Sequence, residues 1–343
     1  MELFLIQSQE HDFLPLAELN AVIESEGFNC NVKKLRSGLV IVDSINPNDF
    51  DYVYQRLTQR LAYTHQINHI LLKTTLQDLD SRISTLDWNS IIESSFVVRV
   101  KTYNSDADVV AIERRMGGLI LENSTNLKVK LTKPNITIRI IIYKDDVYLT
   151  CEEYILNKKY FQDFKPHKRP FFHPGCMSPK LARCMVNLSR IKTDQLLPDP
   201  FCGTGGMLIE GGLIGARVVG CDIDWNMKNG SAINCEYAGV KDFKTYKVDI
   251  NELKMYELCD AVVTDPPYGI STTTGGRDSL IFKDFLISIK RNMKDDALLV
   301  MASPHFVDID QFLEEIGFEV LERYEIRMHK SLTRIISVIA QIN

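Results

Sequence analysis

The feature that most limits what this chain can fold into is a series of strand ends, each followed by a characteristic loop. Asp199-Pro-Phe-Cys-Gly-Thr-Gly-Gly206 follows an apolar strand and precedes a helix. Glycines at 203 and 205 let the backbone approach a ligand without side-chain obstruction. Alone, such a loop fits equally a plain strand-to-helix turn or a nucleotide-binding Rossmann loop. The spacing of the next two strand ends decides. The segment RVVGCDID ends a second strand in acids, where a carboxylate can accept ribose hydroxyls. Asp222 is the first candidate and Asp224 the weaker one, with Ile223 between them lining the site. KVDINEL then places Asp249 after a third strand, as a turn cap or as a partner for an adenine amino group. Phe201 completes the set of cofactor-binding candidates with Asp199, Gly203, Gly205, Asp222, Ile223 and Asp249.

A fourth strand ends in Asp265-Pro-Pro-Tyr-Gly269. In an open α/β sheet, ligands lie beyond the carboxyl ends of the strands, where strand order reverses. An exocyclic amine on a base is a poor nucleophile, because its lone pair is delocalised into the ring. The Asp265 carboxylate and the Pro266 carbonyl can accept its two N–H groups and turn that lone pair outward. Pro266 and Pro267 stiffen the acceptors, and Tyr268 can stack on the base. These four residues are the catalytic candidates. The rival reading, a simple turn, is weakened by the glycine loop some 60 residues earlier and the acids between.

The strands expected here are 196–199, 217–222, 243–248, 260–265 and 297–303, alternating with helices. They predict a parallel sheet covered on both faces. Runs 318–328 and 333–342 read as a closing antiparallel hairpin. Ser178-Pro179 opens a helix with apolar residues at Leu181, Cys184, Met185 and Leu188. The first 150 residues read differently. Strands at 3–7 and 39–42, a helix at 16–26, β-rich runs at 96–103, 127–131 and 136–151, and helical spacing at Val109, Ile112 and Met116 give an α+β pattern without a phosphate loop. The division is expected at 157/158, giving an N-terminal RNA-binding region, 1–157, and a catalytic domain, 158–343.

Two features carry the resemblance to a known family. DPFCGTGG and DPPYG match the cofactor and catalytic motifs of the class I amino-methyltransferases. HPGCMSPKLARCMVNL, GGRDSLIFKDFL and HKSLTRIISV look like the archaeal tRNA (guanine(10)-N2)-methyltransferase family, and residues 1–150 are similar to its THUMP domain. The resemblance implies a Rossmann-like class I methyltransferase domain behind an α+β THUMP-like RNA-binding domain. It implies S-adenosyl-L-methionine as cofactor, tRNA as substrate and guanosine 10 as target, through to the dimethyl product. Rival readings are another tRNA or rRNA guanine, or a catalytically dead RNA-binding protein. DNA is disfavoured, since no separate DNA-recognition domain is evident. The motifs say nothing for or against an accessory protein.

Charge constrains the RNA contacts. With 40 basic and 45 acidic residues, the net charge is −5, so no general field holds nucleic acid. Local cations must do so. Lys128, Lys130, Lys133 and Arg139 form one acid-free stretch. The run 158–192 holds nine Lys and Arg against Asp163 alone, with Lys168 and Arg169 as its RNA-binding candidates. Arg277 is a third possibility beyond the catalytic loop. Phe171, Phe172 and His173 fit either base stacking or packing beneath the cofactor. The eight cysteines form no CxxC pair, so reduced thiols and no metal are expected. The absence of a signal sequence or long apolar run points to a cytoplasmic protein with no membrane partner.

Overall fold

The computed structural model describes residues 1–156, 158–268, 278–330 and 332–342. The chain divides into two compact units, and the division is not a single cut. Met1–Gln7, Asn29–Tyr54 and Thr64–Leu156 form the first. Ser8–Phe28, Gln55–Tyr63 and Asn157–Asn343 form the second. The long segment of the second unit begins at Asn157, and two N-terminal segments also belong to that unit.

In the first unit one sheet has eight strands, in the order Asn31–Arg36, Leu39–Asp43, Leu3–Gln7, Thr64–Thr75, Asp146–Ile155, Ile136–Tyr143, Ser95–Tyr103 and Lys128–Val129. The helix Val109–Glu122 is capped by Asp108, whose carboxylate accepts the Ala111 amide at 3.0 Å. Its Ile112, Met116 and Ile120 pack with Trp88, Phe96, Ile138, Ile140 and Leu149 in one core. The run 136–151 resolves into two paired strands, because Lys144 at positive φ turns the chain between them. The 12-residue strand Thr64–Thr75 is a departure from expectation. His65, Gln66, Asn68 and His69 interrupt its apolar residues and hide the alternation.

In the second unit Phe243–Lys247, Arg217–Asp222 and Leu196–Asp199 form a parallel sheet in that order. Cys259–Thr264 runs beside Leu196–Asp199 and begins a second group, continuing through Met293–Pro304, Leu332–Gln341 and Phe318–His329. The last two are antiparallel, as the closing hairpin predicts. Strand order therefore reverses between Leu196–Asp199 and Cys259–Thr264, which opens a crevice at their carboxyl ends. This is a Rossmann-like arrangement.

The helix Pro179–Leu188 starts as its sequence dictates, with Ser178 Oγ accepting the Leu181 amide at 3.3 Å and Pro179 in the first turn. It is buried on nearly every side rather than along one stripe. The helix Leu14–Glu26 packs on it, and a polar network joins the two. Glu18, wholly buried, accepts the amides of Ala62 and Tyr63 at 3.0 and 2.9 Å and Asn187 Nδ2 at 2.9 Å. The Asn187 oxygen in turn accepts Arg60 Nε at 3.2 Å.

The basic run 158–192 corrects the charge reading. Acids remote in sequence meet it: Lys180 pairs with Glu10, Arg183 with the buried Glu210, and Arg190 with Glu24 and Glu322. Arg169 is 5% exposed, and its Nε donates to the Phe164 carbonyl at 3.0 Å. It lies inside the fold rather than on a surface open to phosphates. Lys168 stays exposed, 3.5 Å from Asp163.

Candidate active site

The glycine loop leaves the strand Leu196–Asp199 and is locked to its neighbour at once. The Cys202 amide donates to the Cys221 carbonyl at 2.9 Å, and the Gly203 amide donates to Asp222 Oδ2 at 3.0 Å. Gly203 (φ +49°) and Gly205 (φ +82°) adopt left-handed backbone. A Cβ at Gly205 would lie 3.2 Å from the Ser231 carbonyl oxygen, whereas one at Gly203 would meet nothing within 4 Å. The first glycine therefore faces open space, where a ligand can approach the backbone. The helix Gly206–Leu213 begins directly behind it.

Asp222 stands at the end of its strand, with Oδ1 accepting the Asp224 amide at 2.9 Å. Asp224 spends its own carboxylate capping the helix Trp225–Ala238, accepting the Asn226 amide at 2.6 Å. That separates the two acids by task. Burial raises the Asp222 pKa, opposed by the backbone amides it accepts. Ile223 is 65% exposed beside it. Asp249 caps the short turn Ile250–Glu252, accepting the Asn251 amide at 2.9 Å, and is half-buried. Phe201 turns its ring against Phe285, with centroids 5.4 Å apart.

Asp199 lies beneath the loop, 3% exposed. Its Oδ1 accepts Thr264 Oγ1 at 2.7 Å and the Phe201 amide at 3.2 Å. One carboxylate thus ties the glycine loop to the strand that carries the catalytic motif. Burial pushes its pKa up to about 7, with Asp265 and Asp222 adding to the rise.

Asp265 follows Thr264 directly. Its pKa is raised by burial and drawn back by the Arg334 guanidinium and by the Tyr268 hydroxyl, which donates to Oδ1. Arg334 Nη2 lies 3.1 Å from Oδ2. Arg334 stands near the turn of the closing hairpin. Its register opposite Pro304, at the carboxyl end of Met293–Pro304, puts it on the crevice side. Gly269 and Arg277 lie outside the described residues.

Asn234 is a residue that sequence reasoning missed. Its side chain accepts the Phe171 amide at 3.0 Å and donates to the carbonyls of Phe171 and Thr204, both at 2.9 Å. It clips the segment around 171 to the glycine loop. Phe171 packs on Gly230, where an added Cβ would fall 2.0 Å from the ring. Of the two alternatives for this segment, Phe171 takes packing, while Phe172 is 50% exposed. An Asn inside a helix that is mixed polar and apolar along its length, Trp225–Ala238, gives no local sign of such a role.

Comparison with known proteins matches this architecture. A model of the RMKL-like methyltransferase domain matches residues 166–336, and a THUMP-domain model matches residues 73–152, the later part of the N-terminal half. The chain is 43% identical to the tRNA (guanine(10)-N2)-dimethyltransferase of Methanothermobacter thermautotrophicus over 343 residues, covering 100% of both. It is 36% identical to the enzyme of the same name from Methanocaldococcus jannaschii, covering 97% of this chain and 98% of that one. Among solved structures, TrmN from Thermus thermophilus superposes with a TM-score of 0.57 over 100% of both chains at 16% identity, a likeness of fold. A full-length match at this identity, with both domain models in order, places the chain in the archaeal tRNA (guanine(10)-N2)-dimethyltransferase family.

Proposed function

We propose that this protein transfers methyl groups from S-adenosyl-L-methionine to N2 of guanosine 10 in tRNA, through to the dimethyl product. The chain-long 43% identity to a dimethyltransferase of that specificity carries the reading. The protein works in the cytoplasm, on tRNA rather than DNA.

The cofactor supplies an electrophilic methyl on a sulfonium. The open backbone at Gly203 and the carboxylate of Asp222 would hold its ribose and chain, and Ile223, exposed beside Asp222, and Asp249 would flank the adenine. Asp265 and the Pro266 carbonyl accept the two N–H bonds of the guanine amine and aim its lone pair at the methyl. Tyr268 supports the base. As the S–CH3 bond breaks, the N–CH3 bond forms and N2 releases one proton to Asp265 or to water. After the first round one N–H remains, and a single acceptor suffices to orient it for the second. Positioning and fixed electrostatics carry the rate. Lys128, Lys130 and Lys133, all exposed, together with the half-buried Arg139 and with Lys168, meet tRNA phosphates, contacts that fix register without reading sequence.

The test is incubation of full-length protein with unmodified tRNA and labelled cofactor, followed by nucleoside mapping. Dimethylguanosine at position 10 is expected, with no labelling of a tRNA carrying adenosine there. Label at another nucleotide would overturn the assignment.

A further inference from the structure

Arg334 is 7% exposed in its side chain, and among the described residues its polar partners are two members of the catalytic motif. Nη2 reaches Asp265 Oδ2 at 3.1 Å, and Nε donates to the Tyr268 hydroxyl at 2.9 Å. That hydroxyl donates to Asp265 Oδ1, which closes a ring of three side chains. The guanidinium carbon also lies 5.6 Å from the Tyr268 ring centroid. A buried cation is costly unless it is paired, and a fork with two fixed directions is the form suited to bridging two acceptors.

We propose that Arg334 is the positioning residue of the catalytic loop, setting the direction of the Asp265 carboxylate and the Tyr268 ring so that they receive the guanine amine. The inference rests on the functional reading above. An ionised carboxylate has about four acceptor sites; Arg334 and Tyr268 occupy one on each oxygen and leave the others for the substrate. A protonated Asp265 would lose that capacity. Burial favours protonation, and Arg334 is the largest influence against it, followed by Tyr268. Among the described residues, the carboxylate of Asp199, from the adjacent strand and bonded to Thr264 and Phe201, also acts on this group. Those bonds do not involve Arg334, so its replacement leaves them in place.

The experiment compares full-length wild type, R334M and R334K in single-turnover transfer to tRNA between pH 5.5 and 9, with cofactor affinity and thermal melting measured alongside. R334M should lose about 100-fold in rate, the scale of a misplaced reacting group, and the acidic limb of its pH profile should move to higher pH. Cofactor affinity should stay near wild type. R334K retains the charge and loses the fork. It should keep the limb in place and lose about tenfold, the scale of one hydrogen bond in the transition state. If R334M does not fold, R334K alone decides: a wild-type rate refutes the fork, and a displaced limb refutes the charge argument. A folded R334M with wild-type rate, or with a slow rate and an unmoved limb, reduces Arg334 to scaffold. Wild type that methylates no tRNA overturns the functional reading and this one together.

Discussion

Asp222→Ala is the sharpest perturbation of the proposed cofactor site, because that carboxylate has two tasks. It accepts the Gly203 and Asp224 amides at 3.0 and 2.9 Å, which holds the glycine loop to the neighbouring strand. In the proposed site it also accepts the ribose hydroxyls of the cofactor. Loss of a charged acceptor costs about 1.5–3 kcal/mol, or about 10- to 150-fold in affinity. Release of the Gly203 amide loosens the loop that must close on the ligand, worth about 1 kcal/mol more. The expected loss is about 50- to 800-fold, read by calorimetry with S-adenosyl-L-methionine on protein shown to be folded. Asp222→Asn should be nearly as weak. An amide has one acceptor oxygen, so one of the two backbone N–H groups would face its NH2. Binding of the alanine variant within twofold of wild type would refute both tasks. An asparagine variant that binds like wild type would refute the geometry.

Other outcomes rest on the buried polar groups and the exposed lysines. Asn187→Leu should cost about 3–5 kcal/mol in urea unfolding, because it strips partners from Glu18 and Arg60, both fully buried; a loss under about 1 kcal/mol would make the network ornamental. Asp199 holds its proton more tightly folded, at about 7, than at its ordinary 3.8, so its contribution to stability is full below about 4 and lost as pH rises through about 7, by at most about 4 kcal/mol. Asp199→Asn keeps an acceptor for Thr264 without this titration and should flatten the decline, and an unchanged pH dependence of unfolding would contradict the assignment. Replacing Lys128, Lys130 and Lys133 together by Ala should weaken tRNA binding and make its salt dependence shallower, by roughly 0.7–0.9 in log–log slope per lost phosphate contact. Equal slopes would clear these lysines of phosphate contact.

The crevice was legible because Leu196–Asp199, Arg217–Asp222 and Cys259–Thr264 are short, mainly apolar runs, each ending in a loop of distinctive chemistry. Leu196–Asp199 and Arg217–Asp222 fell where the residues indicated. Strand ends are set by local backbone demands, which a sequence displays. Thr64–Thr75 was not legible, because tertiary pairing on both edges sustains a strand whose alternation is broken by polar side chains. Arg334 and Asn234 were not legible as site-supporting residues for a different reason. Each acts across more than 60 positions of sequence, joining Tyr268 in one case and Phe171 in the other. The two N-terminal segments of the second unit belong to the same class. Leu14, Ala21, Ala62 and Tyr63 lie in one core with Leu181, Met185 and Leu188, and nothing in their own stretches names that destination.

Charge shows most clearly why order along the chain misleads. Counted in sequence, 158–192 is the most basic stretch of the protein. Counted in space, Glu10, Glu24, Glu210 and Glu322 take up Lys180, Arg190 and Arg183. A cation already paired releases little on meeting a phosphate, since it must first give up its carboxylate; a buried one such as Arg169 must also break the packing around it. The useful measure for nucleic-acid contact is therefore the exposed residue without a carboxylate competitor. By that measure Arg169, Arg183 and Arg190 drop out, and Lys128, Lys130 and Lys133 stay in, on the edge strand Lys128–Val129 of the eight-stranded sheet and the segment after it. An acidic protein can then hold an acidic substrate without a general field where exposed cations stand together with no acid between them in sequence, as Lys128, Lys130 and Lys133 do.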